Sequence, residues 1–183
     1  MPIPVLIDTD MGVDDAVAVT LALCADNIEL VGVVSVGGNV SLDQATDNIG
    51  RLLAGLQIKN PPPVARGLDQ DRNNLPHATH VFGQDGLGEI DLSKPKNFKP
   101  GKYLKLYEQL IDKHGKSLVI VAIGPLTNLA AILREKPGLL ERAGKIILMG
   151  GAVWCPGNVT QFAEFNFYRD PEAASALFPP IYP

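Results

Sequence analysis

Cysteine is scarce in this chain: Cys24 and Cys155 are the two among 183 residues. They stand too far apart for the repeated short spacing of a zinc site and are too few for a secreted disulfide scaffold, so a reducing, cytoplasmic setting is expected. Positive charge is not in excess either. Sixteen Lys and Arg against 20 Asp and Glu give a formal net charge of -4, and their scatter argues against a nucleic-acid backbone or an anionic membrane surface as partner. Long apolar runs are also missing. The longest largely apolar stretch, Leu118 to Leu133, is broken by Gly124, Pro125, Thr127 and Asn128, too short and too polar for a bilayer span. The amino terminus reaches Asp8 after one short apolar run, without the charged start or apolar length of a secretory signal. There is no internal repeat and no low-complexity tract.

What is present suits an ordinary globular protein: 46% hydrophobic residues over 183 positions suffice for one sizeable core, and residues 1–183 read as a single domain. Aliphatic runs bounded by Gly, Asp or Asn at Ile3 to Ile7, Leu30 to Val36, Leu118 to Ile123 and Lys145 to Leu148 predict buried strands. Helical periodicity over Asp14 to Ala25, Leu42 to Leu56, Tyr103 to His114, Leu126 to Arg134 and Pro171 to Leu177 fills the intervals. This alternation predicts an α/β fold, doubly wound, with a mostly parallel sheet and helices on both faces. The connection from Arg66 to Gly101 is too long for a routine loop and predicts a flap or irregular excursion.

Ligands of such sheets bind beyond the carboxyl ends of the strands, and polar clusters stand at those places in the sequence. They are Asp8-Thr9-Asp10-Met11-Gly12-Val13-Asp14-Asp15, Gly37-Gly38-Asn39, Gly124-Pro125-Leu126-Thr127-Asn128 and Met149-Gly150-Gly151, followed by Gly157-Asn158 and Glu164-Phe165-Asn166. Four carboxylates within eight residues repel one another in a crevice unless a cation joins them. Oxygen ligands without His or Cys favour calcium or magnesium over zinc, and a mixture of carboxylates with a backbone carbonyl favours calcium. Taken singly, Asp14 or Asp15 reads as an acidic residue placed at a helix amino terminus. No dinucleotide fingerprint or phosphate-cradling Lys-Ser/Thr ending accompanies the glycines, and no cation flanks the acids, so the expected ligand is neutral and hydroxyl-rich, a sugar rather than a nucleotide.

The segment Asp8 to Ala16 resembles the amino-terminal signature of the inosine-uridine-preferring nucleoside hydrolase family. Gly37-Gly38-Asn39, Gly124 to Asn128, Met149-Gly150-Gly151-Ala152, Gly157-Asn158-Val159, Ala163-Glu164-Phe165-Asn166 and Asp170-Pro171-Glu172-Ala173 follow in the family's order, to about Ala176. The resemblance implies calcium-dependent hydrolysis of the N-glycosidic bond of ribonucleosides. It also implies Asp10, Asp15 and the Thr127 carbonyl as calcium ligands, Asp14 as the base that deprotonates water, and Asn39, Asn158, Glu164 and Asn166 on the ribose hydroxyls. Met149 would pack beside the sugar, Asp8 would support the site, and the full-length form would be a homo-oligomer, a dimer or tetramer.

Two departures stand out. Phe82-Gly83 occupies the place of the family's usual His-Gly pair, with His80 two positions earlier. Family members also continue past the equivalent of Pro183 into a segment bearing another aspartate ligand and commonly an imidazole, so the domain is expected to be incomplete at its carboxy end and Phe178 to Pro183 to leave the family pattern. An inactive calcium- or ribose-binding fragment is therefore an alternative reading. A magnesium-dependent phosphatase of the haloacid dehalogenase type, with Asp8-Thr9-Asp10 as its nucleophile motif, is a second. Loss of the later strands predicts an exposed sheet edge and self-association. Among the remaining residues, His77, His80 and His114 are given no chemical role, Trp154 and Phe167 are candidates for a base pocket, and Cys24 is expected in the core.

Overall fold

A computed structural model describes residues 1–70, 75 and 77–178. Among the described residues, six strands form one sheet in the order β4-β3-β2-β1-β5-β6, and every adjacent pair is parallel. They are β1 (Ile3–Thr9), β2 (Ile28–Ser35), β3 (Val64–Arg66), β4 (Gly101–Lys102), β5 (Val119–Ala122) and β6 (Lys145–Leu148). The helices are α1 (Val13–Cys24), α2 (Leu42–Gly55), α3 (Thr79–Phe82), α4 (Tyr103–His114), α5 (Thr127–Glu135), α6 (Phe165–Arg169) and α7 (Pro171–Leu177). β3, β4, α3 and α6 were not predicted, because segments of two to five residues carry too few apolar positions to display a period.

Side-chain alternation along the strands produces the layers. Val5 and Ile7 of β1 pack with Val19 and Ala22 of α1, and Val33 with Ala45, Ile49 and Leu53 of α2. Leu6, Val34, Ile120 and Ala122 point to the opposite face, against α4, α5 and α7. Helices thus cover both faces, as the strand-helix alternation predicts. Cys24 corrects one expectation: it lies at the last position of α1 but is exposed, as is Cys155, because α1 turns a different stripe toward the sheet.

The sheet order contains one reversal. The chain runs outward through β2, β3 and β4, then returns through α4 to place β5 on the other side of β1. The carboxyl ends of β1 and β5 diverge at this point, and a crevice opens where their following loops part. Among the described residues, no helix is long and apolar enough to cross a membrane. Pro179 to Pro183, most of the segment expected to leave the family pattern, lie outside the described residues.

Candidate active site

The turn after β1 is built around its own acids. Met11, fully buried, adopts φ 57, a left-handed conformation uncommon for a bulky side chain and found where a site dictates the backbone. The Thr9 hydroxyl accepts from its N–H at 3.0 Å. Asp15, in the first turn of α1, accepts from the Gly12 N–H at 3.1 Å and so closes the helix start from within. Asp14, next along the helix, is exposed and projects into a cavity.

That cavity, of about 370 Å³, brings together residues from seven separate segments. Asp14, Asp15, Asn39, Met149, Asn158, Glu164 and Asn166 all line it, with Ala78, His80, Val81 and Phe82 on a further wall. Seven of the nine residues singled out in the sequence therefore share one wall system. Asp10 lies beneath the surface, 1% exposed, and accepts from the Asn39 backbone N–H at 2.6 Å. Gly38 makes this approach possible, since a Cβ there would stand 2.1 Å from Asp10 Oδ2. Thr127 is the other residue not on the cavity. It is buried at the start of α5, its hydroxyl donates to Asp170 at 2.7 Å, and it borders a separate depression with Leu68 and Asp69.

The electrostatics match the expected repulsion. Burial raises the Asp10 carboxyl well above the usual carboxylate range, and the negative charge of Asp15 adds to the shift. Asp15 is raised too, again chiefly by burial. Asp10 Oδ1 is buried and has no hydrogen-bond partner, an arrangement that is costly without a counter-ion. Two buried carboxylates with an unpartnered oxygen fit a hard cation. Among the described residues, no group of three or more His, Cys, Asp or Glu side chains gathers for a metal, so any cation here would draw further ligands from carbonyls, solvent or substrate.

The amide and acid side chains are already half committed, which fixes what each can offer. Asn166 donates both amide protons, to the carbonyls of Ile123 at 2.9 Å and Met149 at 3.0 Å, leaving its oxygen to accept. Asn158 Oδ1 accepts from the Phe165 N–H at 2.8 Å, leaving its N–H groups to donate. Glu164 caps α6 by accepting from the N–H groups of Asn166 and Phe167, and it also accepts from Gly151. Its two oxygens retain acceptor capacity beyond those bonds.

Behind the site, Asp8 accepts from Tyr107 Oη at 2.7 Å and from Asn128 Nδ2 at 2.9 Å. Burial pushes its carboxyl up to about 7, against the lowering effect of those two bonds. Asn128 also binds the Ser35 carbonyl and accepts from Leu68 N–H, so one buried amide joins β1, β2 and the loop after β3. Asp8 is thus fixed within the scaffold behind the cavity. A phosphatase nucleophile would need exposure, and Asp8 is 1% exposed, while no Lys or Arg among the described residues lines the cavity; both observations oppose the phosphatase reading. Sequence reasoning did not find Tyr107, 99 positions from Asp8, because only the crossover through α4 brings it there. The Asp170-Pro171 pair also gains a reason: Asp170 caps α7 by accepting from Ala173 N–H while holding Thr127.

Three further expectations change. Trp154 is fully exposed and does not line the cavity. Phe167 packs against Phe178, with ring centroids 5.8 Å apart, and borders a neighbouring depression instead. His80, given no role from the sequence, stands on the cavity wall.

Comparison with known proteins agrees with the fold. Residues 5–182 match the model of the inosine-uridine preferring nucleoside hydrolase family, and the chain belongs to that family. The match runs past Ala176, where the recognisable motifs end. Uridine nucleosidase 1 of Arabidopsis thaliana is 36% identical over 94% of this chain and 52% of its own length. The inosine-uridine preferring nucleoside hydrolase of Leishmania major is 38% identical over 97% of this chain and 57% of its own. The solved purine-preferring ribonucleoside hydrolase from Gardnerella vaginalis superposes with a TM-score of 0.88 at 32% identity, covering 96% of this chain and 57% of that one. The chain spans little more than half the length of the curated relatives it matches.

Proposed function

We propose that this chain carries the metal- and ribose-binding half of a calcium-dependent hydrolase that splits ribonucleosides into free base and ribose. The observation that carries this reading is the single cavity lined by Asp14, Asp15, Asn39, Met149, Asn158, Glu164 and Asn166. It offers carboxylates and amides suited to a neutral polyol and, among the described residues, no Lys or Arg suited to phosphate.

Asp10 and Asp15 would hold calcium, with the Thr127 carbonyl as the third ligand that family membership suggests. Calcium, when bound, supplies positive charge that orients a water and the ribose 2′- and 3′-hydroxyls. Asp14, exposed in the cavity, takes a proton from that water as general base. The water oxygen bonds to the anomeric carbon, the carbon–nitrogen bond breaks with its electron pair passing to the base, and the base takes up a proton from solvent while Asp14 returns its own, so that the two hydrogens of the water are accounted for on ribose and base. Asn158 donates to a sugar hydroxyl, Asn166 and Glu164 accept from others, and Asn39 closes the ring on the side of Asp10. Met149, half exposed, packs against the sugar carbons. Full-length forms are proposed as cytoplasmic homo-oligomers. The relatives named above are called a uridine nucleosidase, an inosine-uridine preferring hydrolase and a purine-preferring hydrolase, so base preference varies within the family.

Release of reducing sugar from inosine and uridine, with calcium and with a chelator, tests the reading. Chelator-sensitive release is the expected outcome. A second reading is a chain that binds ribose and calcium without cleavage. It predicts calcium-dependent ribose binding with no sugar release. Absence of both cleavage and binding would overturn the proposal.

A further inference from the structure

The cavity is chemically divided in the way a nucleoside is. One part carries Asp14, Asn39, Asn158, Glu164 and Asn166, a set suited to hydroxyls; the wall formed by α3 carries Val81, Phe82 and His80, suited to a flat heteroaromatic ring with polar edges. Resting on the ribonucleoside reading, we infer that His80 is the residue that meets the nucleobase, donating an imidazole N–H to a ring nitrogen or carbonyl of the base.

The histidines of the chain are three, and their surroundings separate them. His77 is spent on the backbone, its Nδ1 pairing with the Gly38 carbonyl at 2.8 Å. His114 ends α4, and α4 belongs to the layer packed against the sheet rather than to the cavity. His80 is exposed in the cavity wall, and none of the described residues partners its ring. The carboxylates of the cavity are acceptors when ionised and cannot donate to a base. His80 is therefore the one titratable side chain of the described cavity lining able to supply a donor as electron density moves onto the base.

Its position is fixed rather than incidental. Ala78, which precedes α3, donates its N–H to the Asn39 carbonyl at 3.0 Å, so α3 is tied to a residue of the proposed sugar site. The N–H of Gly88 returns to the Phe82 carbonyl at 2.8 Å, and Asn48 of α2 holds the Asp85 carbonyl at 2.7 Å. Together these bonds clamp α3 at both ends, keeping His80 and Phe82 at a set distance from the polar half.

The test is equilibrium binding, with calcium present, of two probes that hydrolysis leaves unchanged: D-ribose and formycin B, a nucleoside whose base is linked through carbon. His80→Ala is expected to weaken formycin B about tenfold, near the value of one hydrogen bond, and leave ribose binding as it was. His80→Gln, which keeps an N–H donor, recovers part of the loss. Unchanged formycin B affinity in His80→Ala, or an equal loss for ribose, overturns the assignment while the ribonucleoside reading stands. Failure of the unaltered chain to bind either probe overturns both.

Discussion

At the scale of single residues, the acids after β1 divide into distinct environments that the sequence presents as one cluster. Asp14 is exposed in the cavity, Asp15 is buried against the Gly12 N–H, Asp10 lies beneath with an unpartnered oxygen, and Asp8 is held by Tyr107 and Asn128. As the proposed general base, Asp14 is expected to tolerate Asp14→Asn structurally while turnover falls by about 10²–10⁴-fold. Sugar release followed alongside a calcium titration checks this, and undiminished turnover would remove the assignment. Asp10→Asn should act in two opposite ways. Without metal it relieves repulsion with Asp15 and raises the melting temperature. With metal it is expected to abolish the increment that the proposed calcium site would give the parent chain, about 2.7 kcal/mol at a hundredfold excess over Kd. Thermal melts of both proteins with and without calcium separate the effects; an intact calcium increment in the variant would rule Asp10 out as a ligand.

At the scale of elements, the short pieces carry the site while the long ones carry the sheet. α6 has five residues and exists because Glu164 caps it, so helix and site share one carboxylate. Glu164→Ala removes acceptors for the N–H groups of Asn166, Phe167 and Gly151. The expected cost is about 1–3 kcal/mol of stability, measured by urea unfolding, together with loss of ribose binding. A variant as stable as the parent would mean that the cap contributes nothing. α3 was invisible in the sequence for a related reason. Thr79 to Phe82 shows no period, and its place beside Asn39 follows from one backbone bond. The long helices α1, α2, α4 and α5 were legible to within a residue or two at most of their ends, because each lays a full apolar stripe on the sheet.

At the scale of the whole molecule, the two sheet faces are unequally covered. On the α4 side the core is continuous from Leu6 to Ala174. On the α1 side, Val17 and Leu21 are 55% and 64% exposed, and Ile147 of the edge strand β6 is 47% exposed. Ile147 pairs with Val121, which packs into the α1-side cluster, so it belongs to that same face. Exposed apolar side chains beside an open edge promote association. Sedimentation of the chain is expected to show self-association that Leu21→Lys together with Ile147→Lys abolishes. A monomeric parent chain would count against it.

The sequence by itself determined the alternation of strand and helix, the class of fold, and which strand ends bear oxygen ligands, because apolar period and local turn chemistry are written in neighbouring residues. Tertiary structure alone decided which of those ligands face one another. The return of the chain through α4, which sets β5 beside β1, buries Asp8 under Tyr107 and opens the crevice between the loops. The bond from Ala78 to Asn39 brings His80 to the cavity. None of these follows from composition or period, since each depends on contacts between segments tens of residues apart.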